Sequence, residues 1–179
     1  MFKIKVPQSV IQHCERQVAS YNFGQRSQAN GTPEQQLTGI IGQSIVMSLF
    51  GLGFVNGESG FDDGTDIEFA GFKIDVKTMG RTTDVRDNYT NNFLKLQDYF
   101  KTEIYIFCSY NKLKLELTVC GWVTKEEFIE RRQFFKQGTL RYRTDGTSFR
   151  TFADLYEIDM KLLNQCSSID ELKIALQNS

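Results

Sequence analysis

Asp66-Ile67-Glu68-Phe69-Ala70-Gly71-Phe72-Lys73-Ile74-Asp75-Val76-Lys77 alternates apolar and charged residues on both sides of Ala70-Gly71. Strict alternation is the pattern of a strand with two unlike faces. A two-residue turn at Ala70-Gly71 makes the stretch a β-hairpin, in which the numbers of facing residues add up to 141. Phe69 then faces Phe72, Glu68 faces Lys73, Ile67 faces Ile74, and Asp66 faces Asp75. Ile67, Phe69, Phe72, Ile74 and Val76 share one face, and the charged residues share the other.

Glu68 opposite Lys73 is a favourable cross-strand charge pair. Asp66 opposite Asp75 is an unfavourable one, with Cβ atoms roughly 5 Å apart. A divalent cation between the two carboxylates removes that repulsion, and Mg²⁺ takes oxygen ligands of this kind. Lys77, two residues beyond Asp75, projects from the same face. Two carboxylates, a metal ion and an ammonium suit phosphodiester hydrolysis: the metal polarises the phosphoryl oxygen, and the ammonium offsets developing charge. The same residues also fit a turn end at Asp66 and two solvated strand positions at Asp75 and Lys77.

Upstream, Thr32-Pro33-Glu34-Gln35 opens a helix. Thr32 is the cap, Pro33 fits the first turn, and Gln35 supplies the reciprocal side chain of a capping box. Its apolar positions run from Leu37 to Phe50, and Gly39 and Gly42 inside it point to close approach by another backbone. Val10, Ile11, Cys14 and Val18 place an earlier helix after Pro7. Short strands are expected at about 53–56, 66–69 and 72–77, followed by a loop over 78–90 and a helix over 92–100. Strands follow at 104–109 and 113–121. Thr124, with Glu127 three residues on, caps a helix ending near Gly138. A strand near 155–158 and a helix over 169–176 close the chain. This order predicts an α/β sandwich, a central mixed β-sheet flanked by helices.

The chain has 179 residues, 40% hydrophobic and 24% charged, with a net charge of −1. That length fits one domain with a core of its own. Cys14, Cys108, Cys120 and Cys166 are too scattered for a zinc site with the lone His13, and read as reduced residues of a cytoplasmic protein. No apolar run reaches signal-peptide or membrane-span length, so no membrane partner is expected. Residues 54–69 carry five acids and no base, whereas residues 125–150 carry seven bases against four acids. An acidic centre beside a basic region suits a polyanionic substrate cut with a metal, and also an ordinary mixed surface. Arg81 and Arg86, directly after the hairpin, suit phosphates flanking the scissile one or a solvated loop. Lys136, Arg141 and Arg143, with Tyr142 between the two arginines, form a DNA-backbone candidate.

The hairpin and the helix before it resemble the PD-(D/E)xK, or restriction-endonuclease-like, nuclease superfamily. Asp66 matches the first motif's Asp, with Thr65 where the family's Pro usually stands, and Asp75-Val76-Lys77 matches the acidic-x-Lys motif. The resemblance implies a restriction-endonuclease-like core over about residues 33–121, with an N-terminal helix and a basic, helical C-terminal extension. It implies a Mg²⁺-dependent endonuclease acting on DNA, with Mn²⁺ as a substitute ion and a homodimer as the form suited to cutting both strands. Asp66, Asp75 and the Val76 carbonyl are then metal ligands, and Lys77 is catalytic. Many relatives complete the shell with a Glu in a Gly-x-x-Gly-Glu helix motif. Here Gly39-Ile40-Ile41-Gly42 is followed by Gln43, leaving Gln43 or the earlier Glu34 as the helix ligand. Gln97 matches a Gln that some relatives hold near the site. A catalytically inactive relative that binds nucleic acid or a protein is the rival reading.

Overall fold

The computed structural model describes residues 1–23, 31–59, 64–142 and 146–178. Its architecture is mixed α/β. A five-stranded sheet has the order β1 (Phe2–Lys5), β6 (Glu116–Thr124), β5 (Ile104–Asn111), β3 (Phe72–Arg81) and β2 (Ile67–Phe69). β3 and β5 run parallel, and the other neighbours are antiparallel. A three-stranded antiparallel sheet has β10 (Leu155–Asp159) between β4 (Thr90–Leu94) and β7 (Gln133–Phe135). A separate ribbon pairs β8 (Leu140–Tyr142) with β9 (Ser148–Arg150). The helices are α1 (Gln8–Ser20), α2 (Pro33–Leu49), α3 (Lys125–Arg131) and α4 (Ile169–Gln177).

The large sheet separates two cores. On one face Ile67, Ile74, Val76, Ile104 and Ile106 pack with Val10, Cys14, Ile41 and Ile45 of α1 and α2 and with Leu172 and Leu176 of α4. On the other, Tyr105, Phe107 and Val123 meet Phe93, Phe128, Tyr156 and Ile158. The first core contains the hairpin's apolar face, as its alternation predicts. The four cysteines are free and buried, and Trp122 belongs to the first core.

The capping box of Thr32 and Gln35 opens α2, and that of Thr124 and Glu127 opens α3, both as expected. Gly42 lets α2 settle onto β3. A Cβ there would lie 1.9 Å from Thr78 Oγ1 and 2.8 Å from Thr78 Cβ, so only glycine fits the present separation. Gly39 meets nothing of the kind.

Four expectations are corrected. Residues 53–56 form no strand. β3 runs four residues past Lys77, because β5 continues pairing with it as far as Asn111. Residues 92–100 are not a helix: Thr90–Leu94 is β4, burying Asn91 and Phe93 alternately, and only a short 3₁₀ turn at Lys95–Gln97 follows. Phe93, Leu96 and Phe100 imitate helical spacing, but pairing with β10 decides the conformation. Finally, α3 stops at Arg131. Arg132 is extended and binds Asp98 through both terminal nitrogens, at 2.5 and 3.1 Å, directing the chain into β7.

Candidate active site

The hairpin has the register expected from its turn: Ile67 pairs with Ile74, Glu68 with Lys73, and Phe69 with Phe72. Ala70 and Gly71 both have positive φ, 52° and 88°, as a tight hairpin turn with right-handed strand twist requires. Ladder pairing ends at Ile67. Asp66 lies one residue outside it, and its N–H donates to the Ile74 carbonyl (2.9 Å). Its side chain then continues the ladder in place of a backbone partner: the Val76 N–H donates to Asp66 Oδ2 at 2.6 Å. N–H and C=O of one strand residue point to the same edge. The Val76 carbonyl therefore faces the edge where Asp66 sits.

Gly64 holds the approach to Asp66. It has φ +78°, and a Cβ there would lie 2.5 Å from the Phe100 ring. Thr102 Oγ1 donates to its carbonyl at 2.7 Å. The carboxylate of Asp66 is thus placed by a backbone fixed on both sides.

Asp75 and Lys77 lie on the face opposite the apolar one, as alternation predicts, but that face is covered. Asp75 is only 3% exposed, and Lys77 Nζ lies 2.6 Å from Asp75 Oδ2. Tyr105 is the neighbour of Asp75 across β5, and the Phe93 ring lies 5.4 Å from the ammonium. Burial, reinforced by the negative charge of Asp75, pushes the Tyr105 phenol far above its ordinary range. The reading of Asp75 as a solvated strand residue is thereby overturned, whereas Lys77 is half-buried at the cleft. Burying the Asp75 carboxylate costs several kcal/mol, which the adjacent Lys77 ammonium offsets.

Asp66, Asp75, Val76, Lys77, Gln43 and Gln97 line one open cleft of about 1490 Å³. Gln97 is buried in its 3₁₀ turn. Glu34 also borders the cleft, but its carboxylate is exposed and paired with Lys112 at 2.5 Å, which holds it below the ordinary carboxylate range. Gln43, half-buried one residue after the Gly42 contact, is the helix residue better placed as an oxygen donor.

The basic candidates divide. Arg81 lines the cleft with its guanidinium 4.5 Å from the Tyr89 ring centre, and its Nη2 donates to the Thr90 carbonyl at 2.9 Å. No described acid forms an ion pair with it. Arg86 is exposed at the same cleft. Arg141 also lines the cleft, but its guanidinium is committed: it pairs with buried Glu157 at 2.5 and 3.3 Å and lies 3.7 Å from the Phe135 ring centre. Lys136 is exposed outside the cleft lining, and Arg143 lies outside the described residues.

Sequence reading missed Phe93 and Tyr105, which cover the pair, and Glu157, the cleft's other buried acid. Thr90-Asn91-Asn92-Phe93-Leu94 shows no polar–apolar alternation, so no local signal announces the strand whose burial brings Phe93 inward.

The donors Asp66, Asp75, the Val76 carbonyl and Gln43 are all oxygens, two anionic and two neutral, a set that suits a hard divalent cation. Among the described residues there is no cluster of three or more His, Cys, Asp and Glu side chains able to hold a metal, so the neutral donors would have to complete the shell. Also among the described residues, no helix is long and apolar enough to cross a membrane. No family model, curated protein or solved structure matches the chain.

Proposed function

We propose that the chain is a metal-dependent nuclease of restriction-endonuclease-like type, hydrolysing phosphodiester bonds in DNA at Asp66, Asp75 and Lys77. The observation that carries this reading is the buried Asp75 paired with half-buried Lys77 at the wall of an open cleft, with the fixed Asp66 carboxylate lining the same cleft.

Asp66 and Asp75, with the Val76 carbonyl and Gln43, would hold Mg²⁺ or Mn²⁺. Bound there, the ion would polarise a phosphoryl oxygen and acidify a water molecule. Lys77 contributes an ammonium confined by the Phe93 ring and the Asp75 carboxylate, able to offset charge that builds on the phosphate. Val76 N–H orients the Asp66 carboxylate by donating to it. Arg81 and Arg86 supply positive charge along the cleft for neighbouring phosphates.

A second reading, an inactive relative that binds nucleic acid or protein, is favoured by one observation: α2 offers a neutral Gln43, and its acid at the cleft, Glu34, is paired with Lys112.

The test is incubation of the purified protein with supercoiled, linear and branched DNA in Mg²⁺, Mn²⁺ or EDTA. Cleavage is expected with either metal and absent in EDTA. Lys77→Met, which keeps the apolar stem over Phe93, is expected to lower the rate a hundredfold or more, about 3 kcal/mol of lost transition-state stabilisation. No cleavage by the parent under any condition would establish the second reading, and undiminished cleavage by Lys77→Met would remove Lys77 from the chemistry.

A further inference from the structure

The β8–β9 ribbon forms a sheet of its own. Arg141 projects from one side and is locked to Glu157. Leu140 and Tyr142 project from the other side, opposite Arg150 and Ser148, and all four are exposed. Tyr142 is 71% exposed, although it borders the cleft that Asp75 and Lys77 line. Phe152, two residues beyond β9, borders the same cleft and is 61% exposed. Two large exposed rings bordering one cleft suit a ligand with an apolar face.

Charge narrows the choice of ligand. Arg150 donates to the Gly138 carbonyl and forms no ion pair with a described acid, and the same is true of Arg86 at the cleft. Rings interspersed with cations that lack acidic partners match a polyanion whose own rings are available for stacking. In a duplex the base faces are already stacked on each other, and a ribbon reading the major groove would present hydrogen-bonding side chains to base edges. Leu140 and Tyr142 offer little of that kind. Unpaired bases, by contrast, stack on aromatic side chains irrespective of sequence.

We propose that Tyr142 and Phe152 form a stacking platform for the unpaired bases of single-stranded DNA, with Arg150 and Arg86 beside its phosphates. The platform stands on its own as a binding site. Joined to the proposed nuclease reading, it makes the substrate a single strand, or the single-stranded part of a branched DNA.

The experiment is fluorescence anisotropy in EDTA, so that nothing is cut. It uses a labelled oligothymidylate of about twenty nucleotides, a duplex of equal length, and an abasic strand of equal length. The parent is expected to bind the oligothymidylate at least about tenfold more tightly than either other probe. Tyr142→Ala and Phe152→Ala are each expected to weaken that binding by roughly fivefold to a hundredfold and to leave duplex binding unchanged. Tyr142→Phe, which keeps the ring, is expected to bind as the parent does. Equal binding of single strand and duplex, or alanine variants that bind as the parent, would overturn the platform. Absence of binding to all three probes would do so too, leaving the face to a protein partner. Binding as expected without cleavage in Mg²⁺ would sink the nuclease reading and leave the platform standing. Cleavage of duplex without the ring dependence would do the reverse.

Discussion

Two hairpins border the same cleft and are built in opposite ways. The β2–β3 hairpin has Ile67, Ile74 and Val76 in the helix-side core, and Asp75 and Lys77 of β3 lie beside the Tyr105 and Phe93 rings. Neither β8 nor β9 has a buried residue, and Arg141 ties β8 to Glu157 and to the Phe135 ring. A reacting centre needs its groups held to within a fraction of an ångström, which only packing on all sides provides. A surface that accepts a variable strand needs exposed rings and few constraints. Under the two proposals above, this difference suits chemistry at the first hairpin and contact at the second.

Stability measurements test this division most directly. Ile74→Ala is expected to cost about 2–5 kcal/mol in chemical denaturation, as deletion of a fully buried side chain does. Leu140→Ala on the ribbon is expected to change stability by less than about 0.5 kcal/mol. Equal losses at the two positions would abolish the distinction.

The seating of α2 on the first hairpin's strand gives a second test. Gly42→Ala inserts a methyl group into the Thr78 side chain and is expected to cost about 1–3 kcal/mol through overpacking. Thr78→Ala in the same chain removes two of the three clashing atoms, so a double-mutant cycle should recover part of that loss. Additive losses would place the strain elsewhere.

Acidity tests the anchoring of α3, outside both hairpins. Burial raises the Glu127 pKa, but the Thr124 N–H, the Asn164 amide and the Arg131 guanidinium together outweigh it and hold the carboxyl below its ordinary range. A group depressed in the folded state stabilises the fold at pH values above its unfolded pKa, and that contribution disappears as the pH falls through the folded value. Glu127→Gln is therefore expected to lose about 1–2 kcal/mol at neutral pH, with the gap from the parent closing in acid. A gap independent of pH would show that packing, not charge, anchors α3.

The smallest effect is a gain. Ala70 carries left-handed strain of about 1–2 kcal/mol, and glycine relieves it while adding up to ~1 kcal/mol of unfolded-state freedom. Ala70→Gly is thus expected to stabilise the protein by roughly 0.5 kcal/mol. A loss instead would mean that the turn, rather than the strand faces, fixes the register.

The first hairpin was legible because alternation over 66–77 and a two-residue turn leave one register, and that register brings Asp75 and Lys77 to one face. Both capping boxes were legible for a similar reason: they are satisfied within four consecutive residues. What escaped was long-range. Nothing within 92–100 announces that β10, more than sixty residues later, claims Thr90–Leu94 as a strand. Without β4 and Phe93 the charged face looked open, so the burial of the Asp75–Lys77 pair was invisible. Asp66 was placed opposite Asp75 by arithmetic, but its departure from the ladder to bind Val76 N–H depends on where β2 ends. Met1 to Val6 alternates apolar and basic residues, and this is the pattern of β1, whose pairing with β6 was equally non-local.

The contact between Asp75 and Lys77 also sets an order of events. A buried carboxylate with no counter-charge would make folding wait for a cation from solution. Lys77 is tethered two residues away on the same strand, so its supply is intramolecular and independent of ionic conditions. The chain can therefore complete its fold in surroundings depleted of divalent ions. Under the proposed reading, loading becomes a late, reversible event on a finished scaffold, and the availability of metal controls when the protein works rather than whether it exists.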